Sequence, residues 1–400
     1  MAVVTVEDVR AARELLRGVV LTTPLEHSRA LSDVVGGAVH LKCENLQRTG
    51  SFKLRGAFTR MSRLSAQERL RGVVAASAGN HAQGVALAAR TLGVSAVVYM
   101  PADAALPKVE ATRNFGAEVR LWGRTVDESL AEARAVAETS GRVLVHPFDH
   151  PDVVAGQGTI GLEILEQLPQ ARTVLVPTGG GGLLAGIAAA LAGTGVRVVG
   201  IQAAGAAAWP PSLDAGRPVP LTTMSTMADG IAVGRPGEVP FEIVSDLGLE
   251  VRTVGEEQIA RALLAVAERS KLVVEPAGAV GVAALLEDPG AFEPPVVVVL
   301  SGGNVDTLLL VGVLRHGLSV AGRFLSLRVR VVDRPGSLAT LLGHLASTGA
   351  NIVSIQHLRT GVELLLGQAD VELEVETRGL DHCSQVLDRL HQAGYDVREP

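Results

Sequence analysis

A lysine amine acts as a nucleophile or a base only when neutral, and one stretch of this chain is built to favour that form. Thr49-Gly-Ser-Phe-Lys-Leu-Arg-Gly-Ala57 places Lys53 in the first turn of an expected helix, with Thr49 or Ser51 available as cap. The positive end of the helix dipole disfavours an ammonium ion there and so favours the nucleophilic amine. Taken alone, the same segment reads more readily as an ordinary solvated lysine.

Four further segments carry chemistry. Ser77-Ala-Gly-Asn-His-Ala-Gln-Gly84 follows the apolar run Val73–Ala76 and opens a helix, so its amides face whatever sits at the strand end. That is an anion site of carboxylate size, with Ser77, Gly79, Asn80 and His81 as candidate substrate contacts. His81 by itself also reads as a cap or a packing histidine. Thr178-Gly-Gly-Gly-Gly-Leu183 again joins strand to helix, and bare amides from Gly179, Gly180, Gly181, Gly182 and Leu183 can close around a phosphate. The spacing Gly180-x-Gly182-x-x-Ala185 imitates a dinucleotide fingerprint. The next strand, however, ends at Gln202, where a ribose would want Asp or Glu, and the Gly-Lys-Ser/Thr of a nucleotide P-loop is absent.

Ser301, in Val-Val-Leu-Ser-Gly-Gly-Asn304, puts a hydroxyl at the end of a buried strand, unless it is only a turn serine. Glu275 in Val-Val-Glu-Pro-Ala-Gly-Ala is read as following a helix, with Pro276 ending regular structure. A cleft carboxylate there could act on a proton or orient a cofactor, and a capping role fits the spacing as well.

The elements that must position these groups alternate. Gly72–Ala76 precedes Asn80–Leu92, Ala96–Met100 precedes Pro107–Phe115, and Glu118–Leu121 precedes Val126–Thr139. Thr173–Pro177 with Leu183–Ala192, then Arg197–Gln202, continue the series. Continuous apolar strands separated by helices imply an α/β fold with parallel sheets covered on both faces, and ligands at the C-terminal strand ends. Beyond Gly322 the pattern becomes βαββαβ in about eighty residues, a ferredoxin-like unit. Its strands are expected at FLSLRVRVVD, NIVSIQHLR, VELLLGQADVELEVET and YDVRE. The domains are therefore drawn as 1–320, with a small subdomain at about 54–150, and 323–400.

Composition excludes several classes. With 47% hydrophobic and 20% charged residues the chain is not disordered. Its net charge of −6, with scattered basic residues, leaves no footprint for nucleic acid or an anionic membrane. Neither a signal peptide nor a membrane span is read. The two cysteines, Cys43 and Cys383, support neither a disulfide framework nor a zinc site, and a reducing cytoplasm is expected.

Taken together and in order, SFKLRGA, SAGNHAQG, PTGGGGL, VEPAGA and SGGN resemble the fold-type II (tryptophan synthase β-like) pyridoxal-phosphate enzymes, and among them the threonine dehydratases, over nearly all of residues 1–320. The resemblance implies that Lys53 holds pyridoxal phosphate as a Schiff base and that Gly179 to Leu183 bind its phosphate. It further implies that Asn80 contacts the ring hydroxyl and Ser301 the ring nitrogen, while Ser77, Asn80 and the amides near Gly79 hold the substrate carboxylate. The implied reaction is α,β-elimination from L-threonine to 2-oxobutanoate and ammonia, as the first step of isoleucine synthesis. Serine racemases are similar but carry a second serine where this chain has Ala78. Relatives that bind a divalent cation use carboxylates that Gly200–Ala208 lacks, so no metal is expected there.

The segment DRPGSL and the βαββαβ pattern resemble an ACT domain. That implies an amino-acid effector, isoleucine or valine, near Arg334, Pro335, Gly336 and Asn351, usually between two such domains, and a homo-oligomer. Two other readings stay open: a serine-preferring dehydratase or β-replacement enzyme on the same scaffold, and a regulator that binds amino acids without catalysis.

Overall fold

The computed structural model describes residues 3–360 and 364–398. It divides into two units, residues 1–310 and 311–400. The division falls inside the helix Thr307–Val320, ahead of the Gly322 boundary expected from the change of sequence pattern.

The first unit holds two sheets. The larger runs in the order Leu25–His27, Val39–Lys42, Val296–Val299, Thr173–Pro177, Arg197–Ala203, Glu250–Val254, parallel except for its first pair. The smaller is wholly parallel, in the order Glu118–Leu121, Ala96–Met100, Val73–Ala76, Val143–Leu144. The four valines of Val296–Val299 and the five residues of Thr173–Pro177 are buried throughout, because strands covered on both faces have no solvent side to make polar. The α/β reading therefore holds. The strands at 25–27, 39–42 and 250–254, and the long helix Pro151–Gln167, lie outside the alternating series read from the sequence.

Three loops leave the C-terminal ends of strands: Ser77–Gly79, Thr178–Gly181 and the turn at Ser301. Lys53 reaches the same region by another route. Ser51 pairs with Gly302 in an isolated bridge, Phe52 donates its amide to the Ser301 carbonyl at 3.2 Å, and the helix Lys53–Ser62 starts at once. Neither expected cap is used. Phe52 is the capping residue without a side-chain bond, the Thr49 hydroxyl turns to the Ser51 carbonyl, and the Ser51 hydroxyl is buried without a partner.

Two residues along that helix, Arg55 is fully buried and grips it to the larger sheet. Its Nε and Nη2 donate to both oxygens of Glu44 at 2.9 and 2.8 Å, and its Nη1 to Glu163 Oε1 at 2.6 Å. Lys42 Nζ donates to the other Glu163 oxygen at 2.6 Å. Two cations and two carboxylates thus cancel, which is the condition under which buried charge is tolerated.

The second unit is an antiparallel sheet in the order Asn351–Leu358, Gln368–Glu376, Phe324–Val332, Asp396–Arg398, with helices Ser337–Thr348 and Leu380–Gln392. This is the expected ferredoxin-like arrangement. The third strand starts at Gln368 instead of Val362, after Gly367 at φ +84; residues 362 and 363 lie outside the described residues. The register places the residues of the expected effector site. Val332 pairs with Gln368, whereas Asn351 pairs with Glu376, as does Phe324. Within one copy, Arg334, Pro335 and Gly336 and the residue Asn351 therefore stand at opposite ends of the sheet. Eight residues of strand, at about 3.3 Å each, separate them.

Candidate active site

One cavity of about 510 Å³, counting the space open to solvent, is lined by Lys53, Asn80, Gly179 to Leu183, Glu275 and Ser301. Of the residues singled out in the sequence for the first unit, only Ser77, Gly79 and His81 do not line it.

The glycine loop is shaped from outside. Trp209 Nε1 donates to the Gly179 carbonyl at 2.7 Å and the Gly237 amide to the Gly180 carbonyl at 3.0 Å. Gly181 takes φ +96, and a Cβ there would stand 2.2 Å from Trp209 Cζ2. With the carbonyls tied back, the amides of Gly179, Gly180, Gly181, Gly182 and Leu183 donate to no acceptor among the described residues. Five free donors at the start of the helix Gly182–Leu191 form a cradle for a phosphate.

Lys53 Nζ donates to the Pro147 carbonyl at 3.0 Å and lies 5.1 Å from the Phe52 ring centre. Burial pushes its pKa down to about 8 against the opposing pull of Glu275. Desolvation wins because it acts on the whole charge of the ammonium, whereas Glu275 is itself pushed up to about 7, by burial first and by Asp229 second.

Glu275 is the residue before the helix Pro276–Glu287. Pro276 thus begins the helix, as a proline with no N–H to lose can, and does not end one. The carboxyl does not cap. It accepts from Asn80 Nδ2 at 2.7 Å, while Asn80 Oδ1 accepts from Asn304 Nδ2 at 2.7 Å. Asn304 Nδ2 also reaches the Thr49 carbonyl at 2.7 Å, so the loop before Lys53 is tied into the same chain of bonds. The Ser301 side chain is buried at the cavity wall.

Beside Asn80, the amides of Ala78, Asn80 and His81 have no acceptor among the described residues, and Gly79 donates to Ser77 Oγ at 3.1 Å. The His81 ring turns away. Its Nε2 lies 2.8 Å from the Val145 carbonyl, and burial lowers its pKa to about 3, so the side chain is a neutral packing group and not a substrate contact.

Sequence reasoning missed Phe148, Gln157, Ile231 and Val233 in the cavity wall. Phe148 belongs to a loop folded around His146, whose Nδ1 accepts from the amides of Phe148 and Asp149 at 3.4 and 2.9 Å. The segment His146-Pro-Phe-Asp149 follows a strand of only two residues, too short to register as a period.

These residues fit pyridoxal phosphate: an amine whose pKa burial lowers, a five-amide phosphate cradle, and polar side chains from Asn80 and Ser301 on the wall of the same cavity. Among the described residues no three His, Cys, Asp or Glu gather as metal ligands would, and no helix is long and apolar enough to cross a membrane.

A family described as pyridoxal-phosphate dependent enzyme matches residues 16–302, and the ACT domain family matches residues 325–393. The L-threonine ammonia-lyase of Thermotoga maritima is 46% identical over 397 residues, 99% of each chain. The processed form of threonine deaminase isoform 2 from Solanum lycopersicum superposes with a TM-score of 0.75 at 37% identity, covering 79% of this chain and 87% of that one. Maize serine racemase gives a TM-score of 0.74 at 33% identity, over 80% of this chain and 99% of that one. With its lysine, glycine cradle and polar partners in one cavity, the chain belongs to the pyridoxal-phosphate dependent enzymes and carries an ACT domain after the catalytic one.

Proposed function

We propose that this protein is a threonine ammonia-lyase, converting L-threonine to 2-oxobutanoate and ammonia. The observation that carries this reading is the meeting of Lys53, Asn80 and Glu275 around one cavity, with the free amides of Ala78, Asn80 and His81 in the loop beside it, in a chain so similar to a protein of that name. The same reading assigns Gly179 to Leu183 to the cofactor phosphate, Ser301 to the ring nitrogen and Asn80 to the ring hydroxyl. It takes the catalytic domain as residues 1–320 and the regulatory one as 323–400.

When bound, pyridoxal phosphate supplies an electron sink for the negative charge that develops at the α-carbon. The protein's part is placement and proton traffic. The amides of Ala78, Asn80 and His81 orient the substrate carboxylate. Lys53 Nζ, neutral above a pKa of about 8, takes the α-proton and holds it. Glu275 and Asn304 fix the Asn80 amide from both ends, so its orientation survives each turnover. Phe148 closes one wall against water.

Racemisation is disfavoured because Ala78 has no side-chain acid or base, although racemases share the fold. The ACT domain supports control by an amino acid; we take that amino acid to be isoleucine or valine, and the protein to be a cytoplasmic homo-oligomer on the biosynthetic route to isoleucine. Initial rates of 2-oxobutanoate formation from L-threonine, with and without L-isoleucine, test both halves. Turnover suppressed by isoleucine is the expected result. Turnover indifferent to it removes the proposed effector, and absence of turnover removes the substrate and favours L-serine or β-replacement.

A further inference from the structure

We propose that Lys108 is a substrate-binding residue, whose ammonium is held over Gly79 by Asp229 and takes the α-carboxylate of the amino-acid substrate together with the neighbouring free amides. The inference rests on the amino-acid-lyase reading above and names a side chain that the sequence motifs do not contain.

Lys108 is the third residue of the helix Leu106–Asn114, on the side of the cleft built around the smaller sheet. Its Nζ pairs with Asp229 Oδ2 at 2.7 Å. Asp229 comes from the other side and opens the short turn Asp229–Ile231, of which Gly230 and Ile231 line the cavity. The lysine stem lies across the anion-binding loop: Cδ, Nζ and Cε stand 3.6, 3.7 and 3.9 Å from where a Cβ on Gly79 would be. Its side chain is only 17% exposed, so this is not a lysine waving in solvent.

The electrostatics are unusual for a cation. Lys108 sits in the first turn of its own helix and beside the start of the helix Asn80–Leu92, and both positive ends repel an ammonium. A cation is held in such a place by anions. Asp229 is one, but it is half-exposed, so water screens part of its field. An ammonium carries three donors. Asp229 takes one of them, and no other acceptor lies in reach among the described residues. The amides of Ala78, Asn80 and His81 beside it are also without acceptors. One carboxylate bound there satisfies both sets at once. In this arrangement Asp229 is a positioning residue that aims Lys108 at the substrate.

The test uses holoenzyme and two probes, L-threonine and L-threoninol, which replaces the carboxylate by a hydroxymethyl group. Binding is read from the visible absorption of the bound cofactor, and turnover from 2-oxobutanoate. Lys108→Met is expected to weaken threonine binding and raise KM by about tenfold or more, the size of one lost charge-assisted hydrogen bond. The fall in kcat should stay below about threefold, because the contact serves ground state and transition state alike. Threoninol affinity should stay near that of the wild type, Lys108→Arg should recover most of the loss, and Asp229→Asn should fall between. Threonine binding that Lys108→Met leaves unchanged, or a loss shared equally by threoninol, overturns the proposal. If the wild type binds threonine without eliminating water, the lyase reading fails while the contrast between the two probes still decides Lys108. If it binds no α-amino acid, both fail.

Discussion

Asn80 Nδ2 donates to Glu275 Oε1 across 2.7 Å, and the two residues reach that contact from the starts of two different helices, Asn80–Leu92 and Pro276–Glu287. A carboxyl at a helix start is expected to ionise easily. Glu275 does the opposite, because complete burial and the nearby Asp229 outweigh the Asn80 bond and the charges of Lys108 and Lys53. The cavity therefore holds two groups displaced toward their neutral forms, Lys53 downward and Glu275 upward, a pairing typical of sites that move protons.

Glu275 makes the stability of the cofactor-free protein depend on pH. Its folded pKa, about 7, lies above the ordinary 4.5, so the folded state binds the proton more tightly. The stability this contributes is complete below pH 4.5 and is lost as pH rises through 7. Glu275→Gln mimics the protonated form, keeps an acceptor for Asn80, and has nothing to lose. Thermal melts of the two apoproteins should coincide near pH 4.5, with the variant melting higher at pH 8. Equal midpoints at pH 8 would show that the carboxyl titrates normally.

Lys53 governs reconstitution in the opposite sense. Its neutral amine, the form that attacks a carbonyl, becomes the major one as pH rises through about 8. The rate of cofactor recapture by apoprotein should therefore increase from pH 6 to 8 and level off above pH 9. Lys53→Ala should bind the phosphate end without the visible band of the covalent cofactor. Its turnover should fall by more than about a thousandfold, as expected when a general base is removed. A variant that retains a tenth of the activity would assign the proton to another group.

The buried ionic network predicts a stability defect remote from the cofactor. Glu163→Ala leaves Lys42 and the Arg55 Nη1 without their carboxylate in a region sealed from water. Removing one partner of such a pair costs about 3–5 kcal/mol. Denaturant unfolding of the apoprotein should show it. Since Arg55 anchors the helix that begins with Lys53, cofactor affinity should fall as well. A loss below about 1 kcal/mol, the scale of an exposed pair, would mean that water reaches the cluster.

Much of this site was legible because phosphate and carboxylate recognition uses backbone amides, and glycine runs between a strand and a helix announce them. Gly179 to Gly182 line the cavity, as does Asn80 from the second such run, whereas Ser77 and Gly79 stand outside its wall; Lys53 gains meaning only beside these other motifs. Asp229 and Lys108 escaped because a lone charge has no period and no motif; only the fold brings them 121 positions together. Glu275 does follow a helical stretch that ends at Ser270, but Pro276 opens the next helix instead of ending regular structure, because proline both ends and begins helices and the local pattern does not separate the two. The His81 side chain is a related case, since a residue inside an anion-binding loop sends its ring wherever the helix turns it, here to the Val145 carbonyl, while its amide stays in the loop. The strands Leu25–His27 and Glu250–Val254 are short or half-exposed edge strands, with too little apolar alternation to stand out from loops.

Gly181 is where backbone conformation and packing set the cradle together. Its φ of +96 disfavours any side chain, and a Cβ would meet Trp209 Cζ2 at 2.2 Å and Pro240 Cβ at 2.9 Å. Trp209 cannot yield easily, because it is fully buried and its Nε1 holds the Gly179 carbonyl. Gly181→Ala must then turn the loop, and the turn moves the amides of Gly180 to Gly182 away from a common centre. Cofactor affinity should drop by about tenfold or more, one to two charge-assisted hydrogen bonds. The remaining holoenzyme should keep a KM for threonine close to that of the wild type, since the carboxylate loop lies on the other sheet. Equilibrium dialysis against pyridoxal phosphate, followed by KM at saturating cofactor, separates the two effects. Weakened threonine binding with unchanged cofactor affinity would place the phosphate elsewhere in the cavity.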